Sequence, residues 1–199
     1  ANRCFVMPNL MPPVTTAKMA AEYKAKLENL APGVEFRMGL YLVPELTPDE
    51  VELAYNESGV TGVKSYPRGV TTNSDAGVES YEPYYPVFER METLGMTLHL
   101  HGEVPQVSMM LAEEMFLDKL KQLHNDFPNL KIVLEHCTTE AAVECVKSLG
   151  DTVGATITAH HLDIVIDDVA GSLLFDFVIF FHSAFLMFVS FVRGVWIFE

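Results

Sequence analysis

Val60-Thr61-Gly62-Val63-Lys64-Ser65-Tyr66-Pro67, Met96-Thr97-Leu98-His99-Leu100-His101-Gly102-Glu103 and Lys131-Ile132-Val133-Leu134-Glu135-His136 follow one pattern. Each is a short apolar run that ends near an ionisable side chain. Runs of about four to eight apolar residues between turn signals read as strands buried on both faces, as in a parallel sheet. Working outward, similar runs occur at Cys4 to Met7, Phe36 to Val43 and Ala155 to Ala159, making six candidate strands: these three and Val60 to Tyr66, Met96 to His101 and Leu130 to His136. Helical periods fill the gaps at Ala17 to Leu30, Pro48 to Asn56, Pro83 to Leu94, Val107 to Phe127 and Glu140 to Leu149. Thr47-Pro48-Asp49-Glu50 carries the clearest start signal: a capping hydroxyl, proline at the first helical position and a carboxylate three residues on. Strand-helix alternation of this kind predicts the α/β class.

Such units build either an open doubly wound sheet or a closed (β/α)8 barrel of the TIM type. No glycine fingerprint of the GxGxxG type follows the first run, whereas Asn9, Lys64, His101 and His136 all stand at carboxyl ends of candidate strands. That distribution favours a barrel. Barrels of this kind take about 250 residues, so six strands leave two unaccounted for, and the expectation is a partial barrel over 1–170, about strands 2 to 7 by the family resemblance set out below. Residues 171–199 break the pattern, holding eight of the 13 phenylalanines and only Asp176, Arg193 and Glu199 as charged groups. This segment is expected to lie outside the fold. Phe177 to Val192 is an uncharged run that falls short of the roughly 20 residues a spanning helix needs.

Lys and Arg number 13 against 27 Asp and Glu, a formal charge of −14. That balance repels phosphate backbones and argues against nucleic acid as a partner. Cys4, Cys137 and Cys145 show neither CxxC spacing nor a dense even pattern, which suits a reducing compartment such as the cytoplasm. The chain opens on Ala1 without a signal-like leader and is expected to begin partway through a longer one.

Lys64 sits near the end of an apolar run, where a bare ammonium is costly to bury. Snorkelling to the rim or pairing with a carboxylate would relieve that cost. Carbamylation would also relieve it, because a desolvated lysine can add CO2 and so gain two oxygens able to hold a metal pair about 3.5–4 Å apart. Strand alternation puts His99 and His101 on one face. His101, followed by Gly102, is the candidate ligand, and His99 is expected to be packed or to support a ligand. His136 ends the next run. One strand-end histidine alone is usually structural, but neighbouring barrel strands bring their carboxyl ends into one mouth, where imidazoles are good zinc ligands.

In these motifs the sequence resembles the dihydroorotase family, of the single-function bacterial and fungal type within the amidohydrolase superfamily. The resemblance runs from about Cys4 to Gly171. It is carried by Val6-Met7-Pro8-Asn9-Leu10, Pro12-Pro13-Val14-Thr15-Thr16, Val63-Lys64-Ser65-Tyr66-Pro67, Thr71-Thr72-Asn73-Ser74, His101-Gly102-Glu103, Glu135-His136-Cys137-Thr138-Thr139 and Ala155-Thr156-Ile157-Thr158. Ala159-His160-His161-Leu162 and Ile166-Asp167-Asp168 look more like the fungal branch.

The resemblance implies that Lys64, as a carbamate, bridges two Zn2+ ions and that His101 and His136 bind the second. It gives Asn9 a role in holding the substrate carboxylate, and it places Thr71 and Thr72 in a loop that closes over the substrate. Ser65 stands where the family usually has leucine. The implied reaction is the reversible interconversion of N-carbamoyl-L-aspartate and L-dihydroorotate in pyrimidine biosynthesis, with a small-molecule substrate and a homodimer as the expected assembly. The family's His-x-His and arginine of the first strand would precede Cys4, and its general-base aspartate would follow His161. The expectation is therefore an incomplete site with no catalytic base present. A non-catalytic paralogue pairing with a full-length enzyme, or a protein anchored by Phe177 to Val192, are the readings from other classes.

Overall fold

The structure, a computed structural model, describes residues 2–69, 74, 76–164 and, for the backbone alone, 189–192 and 195–198. Six parallel strands alternate with helices: β1 (Arg3–Val6), α1 (Ala17–Leu30), β2 (Glu35–Tyr41), α2 (Pro48–Glu57), β3 (Val60–Ser65), α3 (Tyr85–Leu94), β4 (Thr97–His101), α4 (Met109–Asp126), β5 (Lys131–Glu135), α5 (Glu140–Ser148) and β6 (Val153–Thr158). Strands β1 to β6 pair in chain order, so each helix carries the chain from one strand to its parallel neighbour. This is the sheet of a partial TIM-type barrel, as the strand-helix alternation predicts. All six expected strands are present, with ends shifted by one or two residues. Two further short strands, β7 (Val189–Val192) and β8 (Val195–Phe198), extend the sheet beyond them. β8 runs parallel to β6, and β7 runs antiparallel to β8. The sequence gives no strand signal there, and the rest of 171–199, including most of the Phe177 to Val192 run, lies outside the described residues. Among the described residues no helix is long and apolar enough to cross a membrane.

Helix starts follow the cap chemistry. Thr16, Thr47 and Thr139 each accept a hydrogen bond from a first-turn backbone N–H at α1, α2 and α5. This satisfies donors that have no partner within the helix. Pro83 falls in a 3-10 turn, Glu82–Tyr84, and the α-helix proper begins at Tyr85. The core lies between sheet and helices: Leu40, Val63, Leu98, Leu100 and Leu134 from the strands meet Val51, Phe88, Met91, Leu120 and Val146 from the helices. Gly95, at φ 68°, ends α3 in the left-handed region that glycine adopts without strain.

Candidate active site at the carboxyl ends of the strands

Parallel strands deliver their last residues to one edge of the sheet, and a cleft of about 470 Å³ opens there. Asn9, Lys64, Tyr66, His101, His136 and His160 all line it. The structure thus brings together four of the six residues singled out from the sequence; the other two, Thr71 and Thr72, lie outside the described residues. Their loop leaves β3 through a pinned neck. The Val78 amide donates to the Tyr66 carbonyl at 2.8 Å and the Arg68 amide donates to the Val78 carbonyl at 3.1 Å.

Lys64 is the penultimate residue of β3 and only 1% exposed. Its Nζ has no hydrogen-bond partner among the described residues and lies 5.0 Å from the Tyr66 ring centroid. Loss of hydration lowers its pKa from 10.5 to about 8, although the negative charge of Glu135 pulls the other way. A buried amine without acceptors is the situation that snorkelling or ion pairing would have relieved, and neither occurs. Its neighbour Ser65 is fully buried and donates to the Tyr81 hydroxyl at 3.1 Å.

His101 closes β4, and His136 follows the last residue of β5. Their ring centroids stand 4.5 Å apart at 64°. Burial, then the charge of Lys64, lowers the pKa of His136 to about 3, so its imidazole is neutral with a lone pair to offer. His101 Nε2 meets the Glu103 carboxylate. His136 holds φ 46°, a left-handed conformation costing roughly 1–2 kcal/mol in a non-glycine residue. Thr156 secures this bend: its Oγ1 accepts from the His136 amide at 2.6 Å and its carbonyl accepts from the Cys137 amide at 2.8 Å. Burial pushes the Cys137 thiol well above its ordinary range, which makes it a poor nucleophile.

Beneath the mouth lies a second polar layer. Glu135 accepts from His99 Nδ1 at 2.6 Å and from Thr156 Oγ1 at 2.7 Å. Burial alone would raise the Glu135 pKa, but these bonds and the charges of His99 and Lys64 hold it at about 2. Phe5 stacks on the His99 ring with centroids 3.9 Å apart. Gly62 makes room for that ring, since a Cβ there would lie 2.9 Å from His99 Nε2. To one side, buried Glu113 of α4 accepts from the Thr138 and Thr139 amides, at 3.0 and 2.8 Å, and from the Thr139 hydroxyl at 2.6 Å. Sequence reasoning did not single out Glu135, Thr156 or Glu113. Glu113 left a signal, because it shares a helical face with Phe116, Leu117 and Leu120, where a solvated carboxylate would be out of place.

Among the described residues no group of three or more His, Cys, Asp or Glu side chains converges to hold a metal ion. The donor set is two imidazoles and an amine, and the amine becomes an anionic oxygen donor only when carbamylated. The unpartnered Nζ beside the histidine pair fits that conversion.

Known proteins share this fold and much of this sequence. The amidohydrolase family model matches residues 15–140. Dihydroorotase of Mycosarcoma maydis is 55% identical over 175 residues, covering 85% of this chain and 44% of that protein. Dihydroorotase of Saccharomyces cerevisiae is 46% identical over 186 residues, covering 84% and 51%. The crystal structure of S. cerevisiae dihydroorotase in complex with 5-fluoroorotic acid gives a TM-score of 0.83 at 45% identity, covering 86% of this chain and 52% of that one. L-hydantoinase from Arthrobacter aurescens, at 19% identity and a TM-score of 0.71, shares the fold. The chain spans about half the length of the curated relatives it matches. With the family model covering most of its length, the chain belongs to the amidohydrolase family, and over most of its own length it is similar to dihydroorotases.

Proposed function

We propose that these strand ends form part of a dihydroorotase site that interconverts N-carbamoyl-L-aspartate and L-dihydroorotate in the pyrimidine pathway of the cytoplasm. The observation that supports this reading is Lys64, an amine buried without a hydrogen-bond partner among the described residues, beside two imidazoles at one mouth. Its lowered pKa gives a larger neutral fraction at physiological pH than an ordinary lysine has. The neutral amine attacks CO2, a C–N bond forms and one N–H proton leaves to solvent, giving a carbamate whose charge replaces the ammonium. Lys64 as carbamate, His101 and His136 would then hold two Zn2+ ions. When bound, such ions supply Lewis-acid polarisation of the substrate carbonyl.

The remaining groups act on their own account. The His136 imidazole stays neutral across the physiological range and does not compete for protons. The Asn9 amide at the rim can donate a hydrogen bond to the substrate carboxylate, and the Thr71 and Thr72 hydroxyls can do the same from the loop. Tyr66 is buried, has its hydroxyl pKa pushed up by that burial, and walls one side.

Incubating the purified chain with 13C-bicarbonate and Zn2+ tests the reading. A carbamate carbon resonance that disappears in Lys64→Met, together with zinc binding that weakens in His101→Ala and His136→Ala, is the expected result. Absence of both the resonance and His-dependent binding would sink it. Turnover of carbamoyl aspartate by the chain would show whether the part present suffices for the reaction.

A further inference from the structure

We propose that His99 is a positioning residue for His136, acting through Glu135 and Thr156 to fix the backbone from which the His136 ring enters the cleft. The proposal rests on the metal-site reading above and adds to it a connection across three strands. His99 of β4 meets Glu135 of β5 at 2.6 Å, Thr156 of β6 donates to the other Glu135 oxygen at 2.7 Å, and the Thr156 oxygen accepts from the His136 amide at 2.6 Å. A carboxylate only accepts, so Nδ1 of His99 carries the proton it donates.

Each link is fixed from outside. Phe5 covers one face of the His99 ring, and the missing side chain of Gly62 leaves the space its other edge occupies. The ring therefore cannot swing away from Glu135 without displacing β1 or β3. Thr156 is 3% exposed and Glu135 4%, so no water competes for these bonds at little cost. At the far end, His136 holds a left-handed backbone that no glycine relieves and that the bond to Thr156 Oγ1 stabilises.

Three polar side chains in the interior of a parallel sheet are a costly way to fill space. Aliphatic residues of similar volume would pack there without the desolvation cost. The chain of bonds ends on the amide of a cleft residue, the one next in sequence to Glu135, so it braces the Glu135-His136 peptide that carries the ring. Groups that orient a ligating histidine typically change metal affinity by about 10- to 100-fold when removed.

The test is Co2+ binding by the full chain, followed by visible absorption. Thr156→Val keeps the shape but loses both hydroxyl bonds, and is expected to weaken Co2+ binding at least tenfold. His99→Leu should weaken it about tenfold. Thr156→Ser and His99→Gln, which can remake the bonds, should recover most of the affinity. A purely structural role would lower the unfolding midpoint while leaving affinity unchanged. If Thr156→Val and His99→Leu fold and bind Co2+ as tightly as the parent, the proposal is overturned while the metal-site reading stands. A parent chain that binds no Co2+, or one whose binding survives His101→Ala, overturns both. Should the two disruptive variants fail to fold, amide exchange at His136 in the parent decides: slow exchange is expected, and exchange at the rate of an open loop overturns the proposal.

Discussion

Glu113 on α4 and Lys64 on β3 are both ionisable side chains taken out of water, and the protein surrounds them in opposite ways. Glu113 receives two backbone amides and a hydroxyl at the start of α5. Lys64 Nζ has no hydrogen-bond partner among the described residues. A buried charge that is fully bonded joins elements and can stay as it is, whereas one left without partners is open to a change of chemistry. The α4–α5 junction is therefore architecture, and the mouth above β3 is where a buried amine is left unbonded among the described residues.

That contrast can be broken by substitution. Glu113→Ala leaves the Thr138 and Thr139 amides and the Thr139 hydroxyl without their acceptor and should lower unfolding free energy by about 1–3 kcal/mol in urea titration. A loss under about 1 kcal/mol would mean the junction does not depend on the carboxylate. Lys64→Met should act in the opposite sense. The fall in Lys64 pKa from 10.5 to about 8 corresponds to a penalty on the folded state of about 3 kcal/mol, so the variant should be more stable than the parent by up to that amount at pH 7 in CO2-free buffer. Destabilisation by this change would show that Lys64 is satisfied after all.

A pH series sharpens the same point. Between about 8 and 10.5 the unfolded chain holds a proton on Lys64 that the folded chain has released, so parent stability should rise with pH across that window. The penalty is fully present below the window and relieved above it. Lys64→Met should lack that rise, and equal slopes in the two proteins would contradict the assignment. Ser65→Ala, which leaves the buried Tyr81 hydroxyl without its donor, should cost about 1 kcal/mol. Smallest of all, removing the exposed Arg3–Glu35 pair by Arg3→Ala should leave the urea unfolding midpoint where it is in the parent.

The strands were legible because each is an apolar run with a polar end, a pattern visible in one dimension. His101 and His136 were legible for the same reason, since parallel neighbours share a mouth. The resemblance to a known family supplied what spacing alone left open, namely a use for Lys64. Glu135 was not legible. It reads as one residue of a strand, and its meaning depends on register, which sets it opposite His101 in the ladder while its side chain meets His99 and Thr156. Register follows from packing of the whole sheet and leaves no local mark. The bend at His136 was hidden too, because nothing in Glu135-His136-Cys137 announces a positive φ that a threonine 20 residues on stabilises.

The agreement between strand order and chain order from β1 to β6 also bears on how the molecule forms. Each strand meets a partner one strand-helix unit away, so loop closures stay short and their entropic cost modest. Contacts this local favour fast folding relative to sheets whose strands pair across the whole chain. Growth can proceed from the amino terminus during synthesis, each unit docking on the one before it. The exposed rim of the growing sheet is then always the rim that the next unit covers.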